Sequence, residues 1–285
     1  MNAPLTPNAT ASNHAASTNF LQETRRGAVL CLTLNRPPTN SLNLAFFQQL
    51  RERLKILAQD NNVRALVLES AFSKYFSSGI DLEEYMSLAP QERSALFLEL
   101  IELHRELAFW PKPTVAAISG YAFLGGWIIA MGCDYRLLAQ ENGKIALSEI
   151  RLGLTPTTIL IRTIVGFGAR QNLVKDLILS GKTLKSTEAY EGGFVDRLVP
   201  VKTLASESLI LAQRLSQMPA HAYAVTKRIY RETLLGDPEA AFEQSKKEFI
   251  EMLAHWEATE GLAAAREKRR ANFHGDLGRN DDNIQ

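Results

Sequence analysis

The chain has 285 residues, 46% hydrophobic and 22% charged, with a formal net charge of +1. That balance suits a globular protein with a sizeable core, and its weak overall field gives no pull toward nucleic acid or an anionic membrane. Its two cysteines, Cys31 and Cys133, both sit in apolar runs. They read as buried small hydrophobes rather than a disulfide framework or a metal pair, which fits a reducing, cytoplasmic setting.

Residues 1–19 are dominated by Asn, Ala, Ser, Thr and Pro. They lack both the apolar stretch of a secretory signal and the arginines of a transit peptide, so a flexible tail is expected. Residues 28–34 are nearly all apolar and predict a buried strand, which the prolines at 37 and 38 end. Phe47, Leu50, Leu54 and Leu57 recur at helical spacing. Residues 65–68 predict a second buried strand, and residues 76–81 a turn in which Asp81 caps the next helix. Leu96, Leu100, Leu103 and Leu107 mark another amphipathic helix, closed by Trp110 and Pro111. Residues 113–119 predict a strand leading to the glycine pair Gly125–Gly126 and an apolar helical segment. Short strands are expected at 135–139 and 145–147.

Strand and helix thus alternate over about two thirds of the chain, as in a parallel sheet with crossover helices. Beyond residue 200 the pattern is helical only, with helices expected at 202–217, 220–235 and 238–270. No run approaches the ~20 apolar residues of a membrane span.

Several chemistries are excluded. There is no phosphate-binding Gly-x-x-x-x-Gly-Lys loop and no Gly-x-Ser-x-Gly elbow. The stretch from Gly166 to Gln171 starts like a dinucleotide fingerprint but lacks its third glycine. His14, His104, His221, His255 and His274 show no metal-ligand spacing, so no metal is expected. Two glycine turns and an acid remain. Ser78-Gly79-Ile80 and Leu124-Gly125-Gly126 each lead into a helix and could together offer two backbone N–H groups to one oxygen. The plainer alternative is a pair of tight, packed turns. Glu149 is a carboxylate in apolar sequence; it either pairs with the adjacent Arg151 or does chemistry.

Taken in order, these stretches resemble the crotonase (enoyl-CoA hydratase/isomerase) superfamily from about residue 30 to 273. The marks are Asn35-Arg36-Pro37-Pro38 with Asn40 and Leu42, the 76–82 and 120–126 segments, Cys133-Asp134-Tyr135-Arg136, residues 148–153, and Glu267-Lys268-Arg269. The resemblance implies an α/β fold: a spiral of repeated ββα units over residues 20–200, then a helical trimerisation region over 201–285. It implies a homotrimer or a dimer of trimers, an acyl-CoA thioester as the partner, and no cofactor beyond the coenzyme A of the substrate. The Ile80 and Gly125 N–H groups would form the oxyanion hole, with Ser78 and Lys268 toward the CoA and Trp127, Ile128 and Leu147 around the acyl chain. Ile128 stands where hydratases of this family carry one of two glutamates, whereas Glu149 matches the other. A single carboxylate suits moving a proton between carbons, and the pattern looks like the mitochondrial-type Δ3,Δ2-enoyl-CoA isomerases.

Overall fold

The computed structural model describes residues 19–274. The tail expected at 1–19 lies, apart from Asn19, outside the described residues. The first two strands, β1 (Leu21–Arg26) and β2 (Val29–Leu34), form an antiparallel hairpin. Sequence reading misses β1 because Leu21 is its only buried residue, so no apolar alternation betrays it. The chain then makes β3 (Ser41–Leu42), α1 (Leu44–Gln59), β4 (Ala65–Ser70), β5 (Tyr75–Ser77), β6 (Gly79–Ile80), α2 (Leu82–Ser87) and α3 (Pro90–Ala108). Next come β7 (Thr114–Ile118), β8 (Tyr121–Phe123), α4 (Gly125–Gly132), β9 (Tyr135–Ala139) and β10 (Lys144–Ala146). A 3₁₀ turn (Glu149–Leu152), α5 (Thr158–Gly166), α6 (Gln171–Leu179), β11 (Leu184–Lys185), α7 (Ser186–Glu191) and β12 (Arg197–Val199) complete the sheet region.

One motif repeats along this path. A strand enters a six-stranded sheet ordered β1-β2-β4-β7-β9-β12, parallel apart from β1. The chain then turns into a short strand of a second sheet, ordered β11-β10-β8-β5, or of the β3-β6 pair, and a helix follows. This is the expected α/β spiral of ββα units, the crotonase-like fold.

The large sheet shows why the sequence runs were nearly continuous: both faces are covered. Leu30, Leu32, Leu34, Leu66, Leu68, Ala116 and Ile118 face the main core with α1 and α3. Val29, Cys31, Ala65, Val67, Val115 and Ala117 alternate with them and face Leu204, Leu211 and Ala212 of α8 (Leu204–Ser216).

The remaining helices are α9 (Ala220–Leu235), α10 (Pro238–Ala254) and α11 (Trp256–Glu267). The single helix expected at 238–270 is therefore two. His255 adopts an extended conformation (φ −82°, ψ 144°), and its ring accepts from the Glu257 N–H at the start of α11. These helices bury apolar faces within their own chain. α10 packs on α3 and α5, and α11 on α2 and the 3₁₀ turn. A buried ion cluster docks α9. Asp134 accepts from Lys227 (2.9 Å), Tyr223 (3.1 Å) and the Thr114 N–H (3.0 Å). Arg136, two residues on, pairs with Asp196 (2.9 Å) and stacks over Phe167. The Cys133–Arg136 motif thus anchors helices to the sheet. No helix among the described residues is long and apolar enough to cross a membrane.

Candidate active site

The site is built where three strand ends meet. Asn40, fully buried, holds them in register. Its side-chain amide donates to Ser70 Oγ (2.9 Å), to the Phe76 carbonyl (3.0 Å) and to the Leu34 carbonyl (3.2 Å), and its oxygen accepts from the Arg36 N–H (2.7 Å). Both its nitrogen and its oxygen are engaged, as a buried amide requires. Arg36 reaches forward to Asp81 (2.7 Å), and Asp81 caps α2 by accepting from the Glu84 N–H (3.2 Å). Burial raises the Asp81 carboxyl, but Arg36 and the Glu84 N–H outweigh it and hold it below its ordinary range. The expected turn at 76–81 is in fact the end of β5 plus the short strand β6, pinned against β3 by pairing of Leu42 with Ile80. The Asp81 N–H donates to the Leu42 carbonyl (2.9 Å), so by alternation the Ile80 N–H faces away from β3.

The second turn is strained. Leu124, the N-cap of α4, has φ 48° and ψ −120°, a conformation that L-residues rarely adopt. Its own N–H is held by the Ala146 carbonyl (2.9 Å) at the end of β10. Gly125 follows as the first residue of α4, where an N–H has no intrahelical partner. Gly126 permits the close approach read from sequence: a Cβ there would lie 2.7 Å from both Cβ and O of Ser77.

Glu149 opens the 3₁₀ turn and is 3% exposed. The turn is pressed against α11, where Gly261 lies so near that a Cβ would meet the Leu152 carbonyl oxygen at 2.3 Å. Burial pushes the Glu149 carboxyl up to about 8, against a smaller opposing hydrogen bond from its own backbone. Oε2 has no hydrogen-bond partner. Arg151 is not a partner; it turns away and donates to the Ser180 carbonyl (2.9 Å).

These elements converge on a cavity of about 100 Å³ lined by Ser78, Ile80, Gly125, Ile128 and Glu149. Among the described residues, Glu149 is the only ionisable one of the lining, and Leu100, Leu152, Leu154, Phe97, Phe249 and Leu262 supply most of the rest. Two backbone turns, one carboxylate and an apolar wall therefore share one small space. The geometry suits an enolate-forming proton transfer: donors where an oxygen gains charge, a base where a C–H is presented.

Two residues expected around the acyl chain fall elsewhere. Trp127 and Leu147 are fully buried but do not line the cavity. Leu124, Gly125 and Ile128 share a face of α4, and Trp127 is a quarter-turn off it. Glu149 starts a 3₁₀ turn, which breaks the strand repeat that would have set Leu147 beside it. Lys268 is exposed at the left-handed C-cap of α11, three residues beyond the lining residue Ala265. Ile150, next to Glu149 in the chain, is 41% exposed; Leu152 and Leu154 line the cavity. Phe249 and Leu262 come from α10 and α11. Their apolar spacing marks them as buried, but nothing in the sequence assigns them to this cavity.

The Enoyl-CoA hydratase/isomerase family model matches residues 24–276. The chain belongs to that family. Its relatives include a mitochondrial enoyl-CoA hydratase of Pongo abelii, 32% identical over 263 residues (87% of this chain, 84% of the relative). A probable enoyl-CoA hydratase of Mycobacterium bovis is 31% identical over 251 residues (85% and 93%). Among solved structures, human mitochondrial Δ3-Δ2-enoyl-CoA isomerase superposes with a TM-score of 0.81 at 26% identity, covering 88% of this chain and 98% of that one.

In this family member the buried acid has a measurable cost. The folded chain holds a proton on Glu149 up to about pH 8, whereas an unfolded glutamate releases it near 4.5. The folded state therefore binds more protons in that window, and its stability falls as pH rises from about 4.5 to about 8. Urea unfolding at pH 5 and pH 9 should show Glu149→Gln gaining on wild type by on the order of a few kcal/mol at the higher pH. An unchanged difference would mean that Glu149 titrates normally.

Proposed function

We propose that this chain is an acyl-CoA isomerase that shifts the double bond of a 3-enoyl-CoA to the 2-position. The observation that carries this reading is that Glu149 is the only ionisable group lining the cavity among the described residues. Hydration calls for a carboxylate to position water as well as one to handle the α-proton, and Ile128 presents none. In the isomerisation, Glu149 takes the C2 proton. The C–H electrons pass into a dienolate whose oxygen is held by the Ile80 and Gly125 N–H groups. The same carboxyl then returns its proton at C4 as the 2,3 double bond forms. No water or redox partner is consumed. The half-buried Ser78 of the cavity lining and the exposed Lys268 ammonium suit the CoA portion, Lys268 toward a phosphate. The assembly proposed is a homotrimer or a dimer of trimers.

The names of the curated relatives favour a second reading, a hydratase. One experiment separates the two: the rate of 2-enoyl-CoA formation from 3-enoyl-CoA against the rate of 3-hydroxyacyl-CoA formation from 2-enoyl-CoA, at matched chain length. Isomerisation should be far faster. Hydration at an equal or greater rate would show that another group positions water, and the isomerase reading would be withdrawn.

A further inference from the structure

The space on this side of the molecule does not end at the Glu149 cavity. A second cavity of about 280 Å³ lies beside it, lined by residues of α2, α3, α10 and α11. The two share Leu262, and Phe97 of the first packs edge-on, at 5.6 Å between ring centroids, against Tyr85 of the second. Helix α3 runs along both. Arg93, Phe97 and Leu100 recur along it at spacings of four and three, which places them on one face. Arg93 lines the second cavity; Phe97 and Leu100 line the first. Seven residues of helix set Arg93 roughly 10 Å along the axis from Leu100.

Among the described residues, Arg93 is the only charged one in the lining of the second cavity. Its guanidinium sits 5.5 Å from the centroid of the Tyr85 ring and donates to the Met86 carbonyl (2.7 Å), while its buried Nε has no hydrogen-bond partner. It makes no ion pair among the described residues. A half-buried guanidinium with donors to spare has the planar fork that fits a carboxylate.

We propose that the second cavity is a distal acyl subsite in which Arg93 binds a carboxylate at the far end of the acyl chain. The preferred substrates are then enoyl thioesters of dicarboxylic acids. This rests on the thioester reading of the Glu149 cavity. An extended chain advances about 1.2 Å per bond, so the roughly 10 Å between Leu100 and Arg93 is covered by about eight bonds. The chain passes by displacing the Leu262 side chain and the Phe97 ring, which stand between the two spaces.

The test is calorimetric binding of two saturated acyl-CoA thioesters of matched length, one ending in a methyl group and one in a carboxylate. Wild type should bind the carboxylate-ended thioester about 10- to 100-fold more tightly. Arg93→Met should bring the ratio of the two affinities to about one, and Arg93→Lys should restore part of it. Equal affinities in wild type, or a ratio that survives Arg93→Met, would show that Arg93 only braces Tyr85 and the end of α2, and would overturn the proposal. The wild-type comparison stands even where a variant fails to fold. Binding of neither thioester would instead sink the acyl-CoA reading of the site, and the subsite with it.

Discussion

Glu149→Gln should lower turnover of a 3-enoyl-CoA by about 10²–10⁴-fold while leaving saturated acyl-CoA binding largely intact. The substitution keeps the shape of a residue that is 3% exposed and removes only the group that titrates. The expected effect is large because no other described residue lining the cavity carries an ionisable group. The elevated acid range of Glu149 also makes the result checkable by a second route. A base that ionises at about 8 makes kcat/KM climb with pH up to an inflection there, and the climb should vanish with the carboxyl. Such a carboxylate is well matched to abstracting a carbon-bound proton, being more basic than an ordinary glutamate yet ionised in a useful fraction near neutrality. Stopped and continuous assays of double-bond migration would both report it. Turnover of the variant within a few-fold of wild type would remove Glu149 from the mechanism. It would favour a reaction in which the enolate forms without a base, as in loss of CO2 from a β-carboxyacyl thioester.

Gly125→Pro should cost roughly 10²–10³-fold in kcat beyond whatever Gly125→Ala costs, because in the proposed mechanism it deletes one of the two N–H groups that hold the oxyanion. The comparison with alanine is needed for a structural reason. Any Cβ at this position would meet Leu42 Cδ1 at 2.8 Å, so both variants push on the same flexible side-chain end. Alanine keeps the N–H and proline does not. Gly125 is the first residue of α4, the one helical position where proline fits the backbone and the lost N–H serves no helical bond. The residue before a proline is restricted too, and Leu124 is already at φ 48°. Circular dichroism and sedimentation of the variant therefore belong with the kinetics. A folded Gly125→Pro protein as active as Gly125→Ala would place the oxyanion elsewhere.

The sequence determined the four inner strands of the large sheet, β2, β4, β7 and β9, but not its edges β1 and β12, together with the main amphipathic helices and the two glycine turns. It did so because burial on both faces leaves continuous apolar runs, and because glycine is the residue that lets backbones touch, as Gly126 does against Ser77. The sequence also isolated Glu149 as a lone carboxylate in apolar surroundings, and order and spacing were enough to suggest the family. Tertiary structure alone decided which residues share the cavity. Ile80, Gly125 and Glu149 sit on three separate turns of the spiral, and only the sheet pairings bring them to one space. It also resolved whether Glu149 pairs with Arg151: the 3₁₀ turn sends the arginine to the Ser180 carbonyl and leaves the acid buried alone. The walls contributed by Phe249 and Leu262 could not be read ahead. Helical periodicity says that a face is covered but not by what, and the extended His255 that separates α11, with Leu262, from α10, with Phe249, left no mark in the apolar spacing. A local pattern records which side of an element meets the core. Which distant element it meets is decided by packing, and the chemistry of this site lies in that choice.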